Sequence, residues 1–388
     1  MRMGIHAVGF DVGCQNSYVA ILDTKGLQTL INENGSRATS TCVTFLNKQR
    51  FVGTLAAVHG GESKMTTLLN FVDLLGCKFK PSLKNDPIFF SYKLEATCHD
   101  RVGVRVHFAN KSWTFIPEQL LAMQLLQLKY IVEKFSEIEL SNVVISIPVH
   151  YNTVQRQAVR DALSIAGLKC LHLQCDTTAI ALTYAYYNRT NLTGLLSPLT
   201  MVFVSIGYRT SQVAVCTLDG RSLKVLATVS DPELGGRKFD KRLFKLFGKR
   251  FEGKHKVQLS SYPESARRLL LACEALKIRM SSNSSRLSIK VESIVKGKDL
   301  VDQMQRNEFE VVCKTLLSRF EQLLRQSLLL AELEPSNVHA VELVGGSCRI
   351  PALQAIVARV FGKPGSVTMN AQEAVALGCA IRVRGTHF

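Results

Sequence analysis

Two short stretches of the 388-residue chain hold its sharpest chemical contrast. "GFDVGCQNSYVAI" (9–21) and "FVSIGYRTSQVAV" (203–215) each read as a strand, a tight turn on glycine and a second strand. At a fixed offset Gly13 meets Gly207, Ser17 meets Ser211, and Val19-Ala20 meets Val213-Ala214. The exception is Asp11, which meets Ser205. The hairpin has kept its glycine and lost its carboxylate.

Two other groups of reactive or charged residues bear on chemistry. Eleven cysteines run from Cys14 to Cys379 without a CxxC pair, and neither His nor a second pair completes a metal set near Cys170 and Cys175. They read as buried, reduced thiols. The formal charge of +17 invites an acidic partner or nucleic acid. Much of it comes from "GGRKFDKRLFKLFGKRFEGKHK" (235–256), where nine Lys/Arg outweigh Asp240 and Glu252. Phe239, Leu243, Leu246 and Phe247 recur there at helical spacing, so the charges read as the solvated face of one amphipathic helix.

The elements around the two turns also repeat. "NVVISIP" (142–148) reads as a buried strand followed by the helix "NTVQRQAVRDALSIAGL"; about 200 residues later "HAVELVGG" (339–346) precedes "PALQAIVARVFG". Before each strand, "PEQLLAMQLLQLKYIVEKF" and "EFEVVCKTLLSRFEQLLRQSLLLAEL" carry apolar residues at helical spacing. Met123 and the leucine stripes then face the core. Two equivalent halves predict two α/β lobes around a central cleft, 1–193 and 194–388, with insertions at about 41–115 and 232–310. The second insertion contains two helices and a strand, "RLSIKVESIV". Ligands in such folds collect where glycine turns converge. Composition, with 46% hydrophobic and 20% charged residues, is that of a folded soluble protein, and no apolar run is long enough to span a bilayer. The start carries no secretory pattern, so a cytoplasmic location is expected, with the nucleus as a second compartment.

These motifs resemble the nucleotide-binding domain of the heat shock protein 70 family, from "VGFDVGCQNSYVAI" through "SIPVHYNTVQRQAVRDALSIAGL", "TVSDPELGGRKFD", "LLLACEALKIRMSS" and "VELVGGSCRIPALQ" to "NAQEAVALGCAI". Gln15, Thr177 in "DTTAIALTY" and Arg237-Lys238 are similar to the divergent heat shock protein 110 branch. The resemblance implies the actin-like ATPase fold, a duplicated, ribonuclease H-like α/β architecture. It also implies ATP or ADP as ligand, Mg2+ as counter-charge, and nucleotide control of a C-terminal peptide-binding domain. That domain and its linker are expected after such a region and are absent from these 388 residues.

Carried over residue by residue, the phosphate machinery is degraded. In the family, two glycine hairpins bring backbone N–H groups to the phosphates, where close approach, often at positive φ, calls for glycine. Carboxylates hold the water shell of the metal. The first hairpin retains Asp11, as a water-mediated Mg2+ contact, and Gly13; its threonines are Cys14, a poor donor, and Gln15, a competent one. The lysine that positions attacking water aligns with Val72, and the "NEPT" glutamate with Asp176. In the second hairpin the aspartate is Ser205, and the glycine run is Gly207, Tyr208, Arg209, followed by a retained Thr210. No catalytic residue is therefore intact among Val72, Asp176 and Ser205. Losing one positioned charge typically costs about 10²- to 10³-fold in rate. The nucleoside contacts survive better: Gly235, Gly236, Glu274, Lys277, Ser281, Gly345, Gly346, Ser347, Arg349 and Ile350 match, while Ile278 replaces a stacking arginine and Gln372 an aspartate. Each match is also compatible with a purely fold-holding role. Arg209 either neutralises a phosphate without magnesium or points outward while Tyr208 plugs the pocket.

The leading reading is an ATP/ADP-binding domain with little or no hydrolysis, acting as a chaperone or as a co-chaperone of nucleotide-exchange type. Its expected partners are an active heat shock protein 70 chaperone or other co-chaperones and nucleotide, with no membrane and no nucleic acid. The alternatives are a nucleotide-free scaffold for an acidic partner or nucleic acid, and a weak but active chaperone ATPase. A sugar kinase lacks its catalytic base, because "VSIGYRTSQV" offers no carboxylate.

Overall fold

A computed structural model describes residues 7–46, 48–60, 67–81, 92–192, 197–220 and 222–383. The chain start, its last residues and the lobe boundary expected at 193/194 lie outside the described residues. The chain forms two compact units. Among described residues the first holds 7–192, Gly220, Ser222 and 373–383; the second holds 197–219 and 223–372.

In the first unit the strand Ala7–Val12 pairs antiparallel with Asn16–Asp23 and parallel with Asn142–Ile147, which pairs parallel with Lys169–Cys175. Asn142–Ile147 is apolar and β-branched because it lies buried within the sheet. The helix Thr153–Ile165 starts where expected, on a capping box in which Asn152 accepts the Gln155 N–H at 2.9 Å. Pro117 opens the helix Pro117–Ser136 at its first position, where a missing N–H costs nothing.

The last helix, Ala374–Arg382, departs from expectation: it belongs to the first unit, not with 197–372. The cause is backbone-to-backbone packing. A Cβ on Gly9 would lie 2.3 Å from the Ala380 nitrogen, and one on Gly378 would lie 1.9 Å from the Ala179 oxygen. Only small residues let this helix seat on strand 7–12 and helix Asp176–Tyr187.

The second unit repeats the sheet plan. Leu199–Ile206 pairs antiparallel with Ser211–Leu218 and parallel with Ala340–Val344, and Leu223–Asp231 extends the sheet. Its insertion holds the helices Gly236–His255 and Pro263–Ser282 and the hairpin Leu287–Val295/Lys298–Met304. Phe239, Leu243, Phe247 and Phe251 of the first of these helices are buried, whereas Arg242, Lys245, Lys249 and Arg250 are exposed, so its charge is a solvated face. The long helix expected from residue 308 is divided into Arg306–Val312 and Lys314–Leu330 by a break at Cys313.

The first insertion is built largely of strands. It contains two three-stranded sheets, one of Cys42–Leu46, Gln49–Val52 and Thr67–Leu69, the other of Lys93–Ala96, Val102–Phe108 and Lys111–Phe115. The 102–115 hairpin turns on Ala109 and Asn110 at φ 51° and 62°. This two-residue left-handed turn normally announces itself with glycine.

Candidate functional site

Both glycine turns are built alike. In the first unit the Gly13 N–H donates to the Asn16 oxygen at 3.0 Å; in the second the Gly207 N–H donates to the Thr210 oxygen at 2.9 Å. Asp11 faces Tyr18 across the first hairpin as Ser205 faces Gln212 across the second, so the offset is a true structural equivalence. The expected positive φ is absent at both glycines. At Gly207 an added Cβ would meet only the Thr210 oxygen, at 3.5 Å, so the turn itself does not demand glycine there. Gly345 is the position that does: its φ is 92° and a Cβ would lie 2.4 Å from the Ile206 oxygen.

Around the first turn, Asp11 accepts a hydrogen bond from the Ser146 hydroxyl at 2.8 Å. Burial, reinforced by the like charge of Asp176, pushes the Asp11 carboxyl up to about 7. Asp176 is the first residue of its helix, where a carboxylate suits the N-terminal dipole. The Cys379 thiol, buried and beside both carboxylates, is pushed well above its ordinary value. Cys14 donates its thiol to Asp73 Oδ1 at 3.2 Å, tying the turn to the 71–74 segment. Gln15 is exposed. Val72 lies in that segment at 8% exposure, within the hydrophobic core of the unit. The position where the family keeps a cation is here a core position.

Because Asp11 is raised in the folded state, its protonated form contributes stability that is present below pH ~4 and lost as pH rises through ~7. The Asp11→Asn variant should therefore gain on the native protein by about 1–2 kcal/mol between pH 5 and 8, after allowance for partial exposure. Parallel urea melts across this range check it; superimposable pH profiles would show Asp11 to be ordinary.

Around the second turn the structure is closed on itself. The helix 236–255 begins against it, and the Gly236 and Arg237 N–H groups donate to the Gly207 and Tyr208 oxygens at 3.0 and 2.7 Å. Those first-turn donors are the ones a phosphate would otherwise take. The Ser347 hydroxyl also donates to the Gly207 oxygen, at 2.9 Å. Arg209 lies 3.5 Å from Glu233, which Lys238 approaches to 2.6 Å. Arg209 thus stands on a protein carboxylate, a partner that neither alternative named.

Lys277 is buried and bonded: its ammonium lies 2.8 Å from Asp240 and donates to the Gly236 oxygen at 3.3 Å. Burial pushes the Asp240 carboxyl up, to about 7, against the pull of Lys277. Ser281 donates back to the Lys277 oxygen at 3.2 Å. Ile350 is 3% exposed and caps the helix Pro351–Phe361, so its side chain is part of the core. Gly346, Arg349, Ile278 and Gln372 are exposed, Glu274, Gly345 and Thr210 half-buried. The matched set thus divides into internal struts (Lys277, Ser347, Ile350) and residues with exposed surface, Arg349 among them.

Sequence reasoning missed four partners: Ser146, Asp73, Glu233 and Asp240. Glu233 and Asp240 both stand within "DPELGGRKFD", flanking the double glycine, where acidic residues among basic ones signal pairing. Asp73 is the next residue after Val72. Among the described residues no group of three or more His, Cys, Asp or Glu could hold a metal directly.

The "Hsp70 protein" family matches residues 7–384. The chain is 37% identical over 376 residues to the 97 kDa heat shock protein of Strongylocentrotus purpuratus, covering 97% of this chain and 42% of that protein. It is 36% and 35% identical to the heat shock 70 kDa proteins 4 and 4L of Homo sapiens, again over 97% of this chain and 45% of each relative. It therefore spans less than half the length of these curated relatives. Matched along nearly its whole length, the chain belongs to the Hsp70 protein family, as a nucleotide-binding domain with the character of the divergent heat shock protein 110 branch.

Proposed function

We propose that the domain binds ATP or ADP with little or no hydrolysis and serves in protein folding as a co-chaperone, promoting nucleotide exchange on an active Hsp70 chaperone. The observation that carries this reading is the second turn: Ser205 brings no carboxylate, and the adjoining helix N-terminus spends its N–H groups on Gly207 and Tyr208. Phosphoryl transfer depends on positioned charge, so a turn bonded inward and stripped of its carboxylate removes turnover before it removes binding. Arg349, Gly346 and Glu274 keep the family's residue types at its nucleoside-contact positions and retain exposed or half-buried surface, and Ile278 is apolar at 60% exposure, which supports the reading.

The Asp11–Asp176 pair fits a hydrated magnesium ion. The two carboxylates are close enough for Asp176 to raise Asp11, and without a third direct ligand the ion would keep most of its water. The ion would supply counter-charge; Ser146 holds the Asp11 carboxyl in place.

A role as exchange partner requires only a binding surface, which tolerates an inert phosphate turn. Stopped-flow release of a fluorescent ADP analogue from an active Hsp70 chaperone checks it. Acceleration of about 10-fold or more is expected at excess protein, since a coupling of 1–3 kcal/mol corresponds to about 5–150-fold. Unchanged release at saturating protein would remove the exchange role while leaving nucleotide binding standing.

A further inference from the structure

In the first unit the two sheets of the insertion meet at an open cavity of ≈ 370 Å³, whose lining includes no residue of the first glycine turn. Phe45, Phe108, Trp113 and Phe115 line it, together with Lys48 and Arg50, and among the described residues its lining holds no carboxylate. The rings are ordered against one another: Phe45 packs edge-on to Phe108 and stacks on Phe115, with both centroids at 5.2 Å. Phe45 itself is buried, whereas Trp113 is 48% exposed. Register explains the arrangement. Arg50 pairs with Phe45 across its hairpin, Lys111 pairs with Phe108 across the other, and Trp113 with Val106, so cations and rings share the same faces.

Three further features define what could sit there. Lys48 and Arg50 are exposed, and neither has a carboxylate partner among the described residues. The strand Lys111–Phe115 is an edge: among the described residues it pairs on one side only, with 102–108. Its residues are also nearly all exposed, and among the described residues no strand takes its outer N–H and C=O groups. An unpaired edge strand is a template for an added strand. A half-exposed tryptophan over an aromatic floor is the kind of anchor site that fills on binding.

We propose that this edge and cavity form a docking site for an extended acidic peptide segment of a partner protein. The peptide adds as a strand along 111–115, places an apolar side chain against Trp113 in the cavity, and sets its carboxylates on Lys48 and Arg50. The open strand edge favours a peptide over a nucleic acid strand, which would use rings and cations but not backbone N–H and C=O groups.

Trp113 is the only tryptophan in the chain, so its emission reports this cavity alone. The 388-residue chain is titrated with a peptide of about eight residues alternating aspartate and leucine, a length typical of a strand. A saturable blue shift is expected, absent with the lysine–leucine counterpart. The exposed double variant Lys48→Glu/Arg50→Glu should weaken the aspartate peptide by about 10-fold or more and gain response to the lysine peptide. An unchanged emission with the acidic peptide overturns the proposal, as does an equal response to both peptides. Tighter binding of oligodeoxythymidylate than of the acidic peptide would also overturn it, reassigning the surface to nucleic acid.

Discussion

Replacing Lys277 with methionine is expected to destabilise the second unit by about 3–5 kcal/mol, because it strands a buried carboxylate. Asp240 is fully buried, and its close cation is the Lys277 ammonium at 2.8 Å. The penalty has a pH signature. Burial already raises Asp240 to about 7, and removing Lys277 raises it further. The cost should therefore be greatest at alkaline pH and shrink as pH falls and the carboxyl takes a proton. Replacing both residues, Lys277→Met with Asp240→Leu, should recover most of the loss, since well-packed apolar groups substitute for a buried pair at little cost. Urea unfolding at pH 6 and pH 8.5 reads all three. If Lys277→Met left unfolding unchanged and only weakened nucleotide binding, the lysine would be a ligand contact and not a strut.

Restoring the family's charged residues is expected to fail as a route back to catalysis. Val72→Lys puts an ammonium where the side chain is 8% exposed, among Phe71, Leu74 and Leu75 of the core. Burying that charge unpaired, or opening the 71–74 turn to avoid it, should cost about 2–4 kcal/mol. Ser205→Asp supplies a carboxylate, but the neighbouring N–H groups of Gly236 and Arg237 stay bonded to the turn. The double variant should hydrolyse Mg-ATP no faster than the native chain within about threefold, well short of the ~10² per positioned charge that an intact site returns. Rapid-quench single turnover measures it. A gain approaching ~10³-fold would mean that the two side chains alone account for the lost activity.

Much of the scaffold was legible because strand signals are local. β-Branched, buried runs at 142–147 and 340–344 and the two glycine hairpins carry their own patterns, and the structure pairs each run in parallel with the first strand of its hairpin. Long-range packing was not legible. The allegiance of helix 374–382 rests on Gly9 and Gly378 meeting backbone far away in sequence. The Ala109-Asn110 hairpin lacks the glycine that usually marks such a turn. At the phosphate turns the missing charges could be read directly, since Val72 and Ser205 are losses of side-chain chemistry. The competing partners could not, because Glu233 and Asp240 act only through where the helix 236–255 starts. Close approach at positive φ was the reason to expect glycine at 207, and its ordinary φ together with the room for a Cβ removes that explanation.

The central claim is that this domain holds nucleotide without turning it over, and the fate of the nucleotide tests it most directly. The purified domain is loaded with labelled Mg-ATP, freed of excess, incubated for an hour at room temperature and denatured, and the released nucleotide is separated. A stoichiometric fraction recovered almost wholly as ATP is the expected result. Recovery as ADP, at a rate comparable to that of an intact Hsp70 domain treated in parallel, would contradict it.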